Sequence, residues 1–271
     1  MLASYPERIV CLTEESTETL YLLGEQDRIV GISGFTVRPP EARAEKPKVS
    51  AFTSAKTDRI MDLNPDLIIG FSDLQADIAA ELIRLGANVL IMNHRSVQEI
   101  LNMILTLSSM VGAHKKGRQL VDEYVQRLDA ASTLATQLSY RPRVYFEEWD
   151  VPMISAIRWV SELIGFAGGI DCFNELGVMP HGKDRIIAES QTVIDANPDI
   201  IIGSWCGKKF RPDKVKVRPG WGAITAVAKD RLFEIKSPYI LQPGPAALTD
   251  GLDQLQHIIH SVAQQHRGSP L

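Results

Sequence analysis

Three cysteines, Cys11, Cys172 and Cys206, are all that 271 residues contain. They are odd in number, far apart and without CxxC spacing. The first reading is three small buried residues, with a disulfide or a thiolate metal site as the alternatives. Basic residues number 29 against 33 acidic ones, a net charge of −4, which argues against a polyanion binder and predicts no nucleic-acid partner. No apolar run approaches the roughly 20 residues that span a bilayer, so no membrane insertion is expected. Met1 to Glu7 has neither a basic n-region nor an apolar h-region. The expectation is a cytoplasmic protein, or a periplasmic one if a leader was removed. Walker loop, GxGxxG, GxSxG and HExxH are all missing, and the six histidines keep no metal spacing. With no enzyme signature, the expectation is a protein that is not an enzyme and has no intrinsic cofactor or metal site.

What the chain does have is a stretch that occurs twice. Residues 64–70 read Asn-Pro-Asp-Leu-Ile-Ile-Gly, and 197–203 read Asn-Pro-Asp-Ile-Ile-Ile-Gly. A helical-looking run precedes each copy, Thr57 to Leu63 and Gln191 to Ala196. Pro65 and Pro198 push the preceding asparagines out of helical geometry. The apolar triplets show no alternation, which predicts short strands covered on both faces, as in a parallel sheet. Two such units about 130 residues apart predict two lobes of similar architecture.

The order around each copy is β-α-β-α, which implies parallel α/β sheets. Arg8 to Leu12 reads as the first strand, followed by a helix capped by Ser16 or Thr17 and stopped by Gly24. Lys115 to Ser139 has no proline and keeps helical spacing from Leu120 to Leu138, a rod of ~35 Å. The predicted organisation is a lobe over 1–113, a connecting helix over 114–140 and a second lobe over 141–271. In the second lobe, helices are expected over 160–167 and 246–262, with a late edge strand at 232–235.

Ligands of open α/β sheets sit outside the carboxyl ends of the strands. That rule selects Glu14, Glu15, Phe35, Phe52 and Phe71 in the first lobe. In the second it selects Glu148, Trp149, Trp205, Lys208, Lys209, Lys236 and Tyr239, with Arg158 beside them. Six of the eighteen Phe, Trp and Tyr residues stand in this set, the profile of an aromatic-lined small-molecule site. The phenylalanines could equally plug a lobe core, whereas Trp149 and Trp205, next to polar residues, are expected at a surface or cleft. Glu14-Glu15 and Glu147-Glu148 are adjacent pairs. At a strand end neighbours point to opposite sides, so at most one of each pair faces a ligand. The basic run Lys208, Lys209, Arg211, Lys214, Lys216 and Arg218 is either a solvated loop or a clamp for carboxylate or phosphate.

The two Asn-Pro-Asp units, the opening Arg8 to Leu12 with Thr17-Glu18 beyond it, and the long central helix resemble one family. It is the cobalamin and ferric-siderophore binding proteins of ABC importers, with the helical-backbone, class III periplasmic-binding-protein fold. Phe146 to Trp149, Trp205 to Phe210 and Leu241 to Pro245 resemble its signal-less subgroup. The resemblance implies two Rossmann-like lobes joined by one long helix, and a bulky corrinoid or siderophore in the cleft between them. Such a ligand would itself carry cobalt or iron. It also implies an ABC permease partner, docked through one glutamate per lobe; those places hold Ala76, near Asp73, Asp77 and Glu81, and Gln191, near Glu189. The rival reading is a cytosolic enzyme or metal- or tetrapyrrole-handling protein on the same scaffold, using Glu14, Glu148, Cys206 or His181.

Overall fold

The computed structural model describes residues 4–267, with side chains to 265. The chain divides into two units, one running to His94 and including Gln98–Glu123, the other holding Arg95–Val97 and everything from Tyr124. Each contains its own sheet.

The first unit has β1 (Ile9–Cys11), β2 (Ile29–Ser33), β3 (Lys48–Ser50), β4 (Leu67–Phe71) and β5 (Val89–Met92). All are parallel, in the order β3-β2-β1-β4-β5. The chain winds outward from β1 in one direction and then restarts at β4 in the other. The sheet's switch point therefore lies between the carboxyl ends of β1 and β4. The second unit has β6 (Arg143–Asp150), β7 (Met153–Ser155), β8 (Ile170–Asp171), β9 (Ile200–Gly203) and β10 (Leu232–Glu234). Its order is β10-β9-β6-β7, with β8 beside the start of β6. Only β7 is antiparallel. Here the switch point lies between β6 and β9.

The repeated stretch folds the same way in both units. Asn64 and Asn197 take the left-handed conformation, φ 46° and 41°, which ends the helix before each proline. Asp66 accepts the N–H groups of Glu7 (2.7 Å) and Arg8 (3.0 Å), and Asp199 accepts that of Arg143 (2.8 Å). The two arginines return the contact: Arg8 Nε donates to Asn64 O, and Arg143 Nε to Ala196 O, both at 3.0 Å. These carbonyls close the helices at 57–62 and 190–196, and a cation suits that end of a helix. The triplets become β4 and β9, buried on both faces beside β1 and β6. The closing glycines are needed for space. A Cβ on Gly203 would lie 1.9 Å from the Phe210 ring, and one on Gly70 2.6 Å from Gln75 Oε1.

Three helices differ from expectation. The first runs Glu14–Leu22, so Thr13 occupies the cap position, while Ser16 and Thr17 donate their hydroxyls back to Thr13 O and lie inside the first turn. The helix of the second unit starts at Arg158, two residues early. The last one opens with a π-helical turn, Ala247–Gly251, before its regular part, Leu252–Arg267. A Cβ on Gly251 would meet Tyr239 O at 2.4 Å, so this turn is built around a close backbone approach. The long helix is His114–Thr136, about 34 Å at 1.5 Å per residue, and the boundary between the units falls within it.

Candidate binding site

In the first unit the strand ends are stitched by one side chain. Gln75, fully buried, accepts the N–H of Phe71 (3.0 Å) and donates to Leu12 O (3.4 Å) and Phe52 O (2.9 Å). This ties the ends of β1 and β4 to the loop after β3. Phe71 is buried against His94, ring centroids 4.9 Å apart, and so plugs the core. Phe52 is half-buried, and Phe35 stands 56% exposed on the loop after β2.

The helix after β1 carries three buried acids, Glu14 and Glu15 in its first turn and Glu18 one turn on. Glu14 Oε1 accepts the N–H groups of Val37 (3.0 Å) and Arg38 (2.9 Å), and Glu18 accepts Arg38 Nε at 2.8 Å. Glu15 Oε1 accepts the Thr13 hydroxyl at 2.5 Å. The second oxygen of Glu14 and of Glu15 is buried without a hydrogen bond. Burial lifts both carboxyls to about 7, helped by the neighbouring acids. Both acids of this pair point inward, contrary to the alternation expected at a strand end, because they belong to a helix.

In the second unit the pair Glu147-Glu148 does alternate, since β6 continues through it. Glu147 is 0% exposed and fully engaged. It takes Arg218 on both oxygens (2.5 and 2.9 Å), Trp205 Nε1 (2.9 Å) and the Tyr145 hydroxyl (2.9 Å). Burial and the adjacent carboxylate push the Tyr145 phenol well above its usual range. The Arg218 guanidinium also lies 4.4 Å over the Trp221 ring.

Trp205 is 3% exposed, which corrects the expectation of a surface or cleft position. Its only polar atom is satisfied by Glu147, so nothing obliges it to stay near water. Arg218 is a second correction: the basic run reads as a uniform clamp or loop, yet this member turns into the core.

Glu148 faces outward, held by Arg185 at 2.6 Å, an arginine only 2% exposed that also donates to Ser155 O. Trp149 is half-buried, its indole N–H on Val151 O. Lys208 brings the outer residues together. Its ammonium pairs with Asp150 and lies 4.0 Å from the Trp149 ring centre and 5.1 Å from that of Trp205. Asp150 is held below its usual range by Lys208, against the opposing effect of burial.

Lys209 and Lys236 are exposed, and Tyr239 is half-buried on the short helix Ser237–Ile240. Arg158 is occupied by Glu162 one turn along (2.9 Å), and Glu162 in turn accepts Val97 N. Cys206 is exposed, Cys172 half-buried and Cys11 buried, and all three are free thiols. Burial and the Glu148 charge raise the Cys206 thiol, which disfavours the thiolate that metal ligation or nucleophilic attack requires. Among the described residues no group of three or more His, Cys, Asp and Glu could hold a metal ion, and no helix is long and apolar enough to cross a membrane.

Sequence reasoning missed Asp150, Arg185 and the inward role of Arg218. Asp150 was within reach, as the fourth residue after Phe146 on the same strand end. Arg185 gives no local signal, because its partner lies 37 residues away.

Two α/β units with parallel sheets, each presenting charged and aromatic groups at a switch point, define a two-lobed binding-protein class. The chain belongs to the periplasmic binding protein family, whose profile matches residues 9–239. An uncharacterized ABC transporter substrate-binding lipoprotein of Bacillus subtilis, YvrC, is 25% identical over 269 residues, covering 94% of this chain and 80% of that protein. A vitamin B12-binding protein of Vibrio parahaemolyticus is 24% identical over 254 residues, covering 93% and 89%. Among solved structures, the periplasmic heme-binding protein RhuT of Roseiflexus sp. RS-1 superposes with a TM-score of 0.81 at 24% identity, covering 97% of this chain and 100% of that one. That likeness establishes the class III fold. The family consists of substrate-binding proteins rather than enzymes. The names of these relatives lend no support to the expectation of a cytoplasmic protein.

Proposed function

We propose that this chain is a substrate-binding protein for a bulky small molecule of the corrinoid, haem or ferric-siderophore kind, taken up by the carboxyl-end residues of its two sheets. One observation carries the reading. At the β6/β9 switch point a lysine ammonium is laid across two indoles, one of them half-exposed, and is balanced by a single aspartate. A flat, apolar ring with acidic side groups fits this arrangement. The ring takes the Trp149 face, and an anionic group competes with Asp150 for Lys208. Lys209 and Lys236 supply further exposed positive charge. In unit 1, Phe35 offers an exposed ring, and the Glu14–Glu15 end offers acceptors. Binding and release are the whole activity. The same reading brings an ABC permease as partner, with Asp73, Asp77 and Glu81 as the exposed acids beside Ala76 for it to meet.

The test is a titration of intrinsic tryptophan fluorescence with cobalamin, cobinamide, haem and ferric siderophores. Saturable quenching by at least one of them is expected, weakened about tenfold or more in Trp149→Ala, which removes one stacking face. Absence of quenching by every probe, or quenching indifferent to Trp149, would overturn the reading.

A further inference from the structure

The ends of β1, β2 and β3 are neighbours in the first sheet, and they carry buried oxygens with nothing to bind. Glu14 Oε2, Glu15 Oε2 and the hydroxyls of Thr36 and Ser50 all lack a hydrogen-bond partner. Thr36 is fully buried, and both glutamates are more than nine-tenths buried. Buried polar groups are nearly always paired, so four orphans on three adjacent strand ends call for an explanation.

Their connections show that they share one corner. Glu14 holds the N–H of Val37, the residue after Thr36. Gly34, which opens the same loop, donates its N–H to Ser50 O at 2.7 Å. Above pH 7 the two carboxylates are ionised and are acceptors only, and each hydroxyl has one proton against two lone pairs. The corner therefore has more lone pairs than hydrogens. Arg38 is engaged by Glu18, the exposed Arg43 donates to Gly34 O (2.7 Å) and Thr36 O (3.2 Å), and neither guanidinium hydrogen-bonds the orphan oxygens.

We infer that this corner is a subsite for neutral N–H donors, the carboxamide groups of a ligand, and that it discriminates against ligands whose periphery carries only carboxylates. The inference rests on the ligand-binding reading and narrows it. An amide N–H meets acceptors that are already desolvated, whereas a carboxylate placed against Glu14 Oε2 and Glu15 Oε2 meets like charge. The two units then recognise opposite chemistry: lysine and indole at the β6/β9 end, acceptors at the β1/β2/β3 end.

The experiment is calorimetric titration of the full chain with three probes: dicyanocobinamide, whose periphery is carboxamide, hemin, whose polar side groups are two carboxylates, and ferrioxamine, an amide-bearing hydroxamate. It is run at pH 8, above the value of about 7 reached by both carboxyls, so that both are ionised. Cobinamide or ferrioxamine is expected to bind at least tenfold tighter than hemin, and which of them leads separates a corrinoid source of the amides from a hydroxamate one. Glu15→Gln, which replaces the orphan oxygen's acceptor character with an amide, should weaken the amide-bearing probe about tenfold and leave hemin unchanged. Thr36→Val, which removes one hydroxyl at nearly constant volume, is the second variant and should act in the same direction. Hemin binding as tightly as the amide-bearing probes, or both variants changing all probes alike, overturns this inference and leaves the binding reading intact. Failure of all three probes to bind overturns both.

Discussion

Arg218 and Glu147 illustrate what a single buried pair can do. The carboxylate has no contact with water, and all of its hydrogen bonds come from three side chains, one of them a cation. Arg218→Met would leave that charge alone in the core, at a cost of about 3–5 kcal/mol. The midpoint of urea unfolding checks this, and a shift equivalent to less than about 1 kcal/mol would contradict it. Glu15 gives a prediction of opposite character. Its folded-state value, about 7, lies above the ordinary 4.5, so the folded chain binds this proton more tightly than the unfolded one. Stability is therefore unaffected by it below pH 4.5 and is lost as the pH rises from 4.5 to 7. For this deeply buried group the loss is on the order of 3 kcal/mol. Glu15→Gln should remove that part of the pH dependence, which unfolding measured at pH 5 and pH 8 would reveal. Alternation along β6 made it legible that only one member of Glu147-Glu148 faces outward. Which member, and that Arg218 pairs with the inward one, Glu147, from 71 residues away, was not, because local pattern carries no information on long-range partners. Trp205 was misplaced for the same reason: its hydrogen-bond partner is 58 residues upstream.

The duplicated stretch is a device made of four parts: a left-handed asparagine, a capping aspartate, a doubly buried strand and a terminal glycine. Its parts differ in exposure between the two copies, and that sets the size of the expected effects. Asp199 is buried and holds both Arg143 N and the Tyr140 hydroxyl, whereas Asp66 is exposed. Asp199→Ala should cost about 2 kcal/mol, and Asp66→Ala about 1 kcal/mol or less. Equal losses in thermal unfolding would refute the argument from burial. Gly203→Ala should be among the most damaging single changes, because its Cβ runs into the buried Phe210 ring. The parallel strands and most helices were legible here, since uninterrupted apolar triplets and 3.6-residue spacing are direct consequences of burial. The helix starts at Glu14 and Arg158 and the π-helical turn at 247–251 were not. The two starts carry no side-chain cap that a sequence could signal, and the turn is built on the close approach of Gly251 to Tyr239 O.

At the scale of the whole chain, each unit is built on a small, mainly parallel sheet whose amino ends carry the structural repeat and whose carboxyl ends carry the chemistry. The two ends differ in what they ask of a residue. Asn, Pro, Asp and Arg at the amino ends satisfy backbone groups, and their roles are complete within the unit. At the carboxyl ends Glu14 and Glu15 have oxygens and Trp149 a ring face left to offer, and Lys208 holds a half-exposed charge that a ligand anion can share with Asp150. Hydrogen exchange of backbone amides with and without a saturating corrinoid or haem probe tests this division most directly. Added protection is predicted over 13–18 and 34–38 in the first unit and over 147–150 and 205–210 in the second, with little change at 64–66 and 197–199. Protection concentrated at the Asn-Pro-Asp ends, or none anywhere under saturating probe, would contradict it.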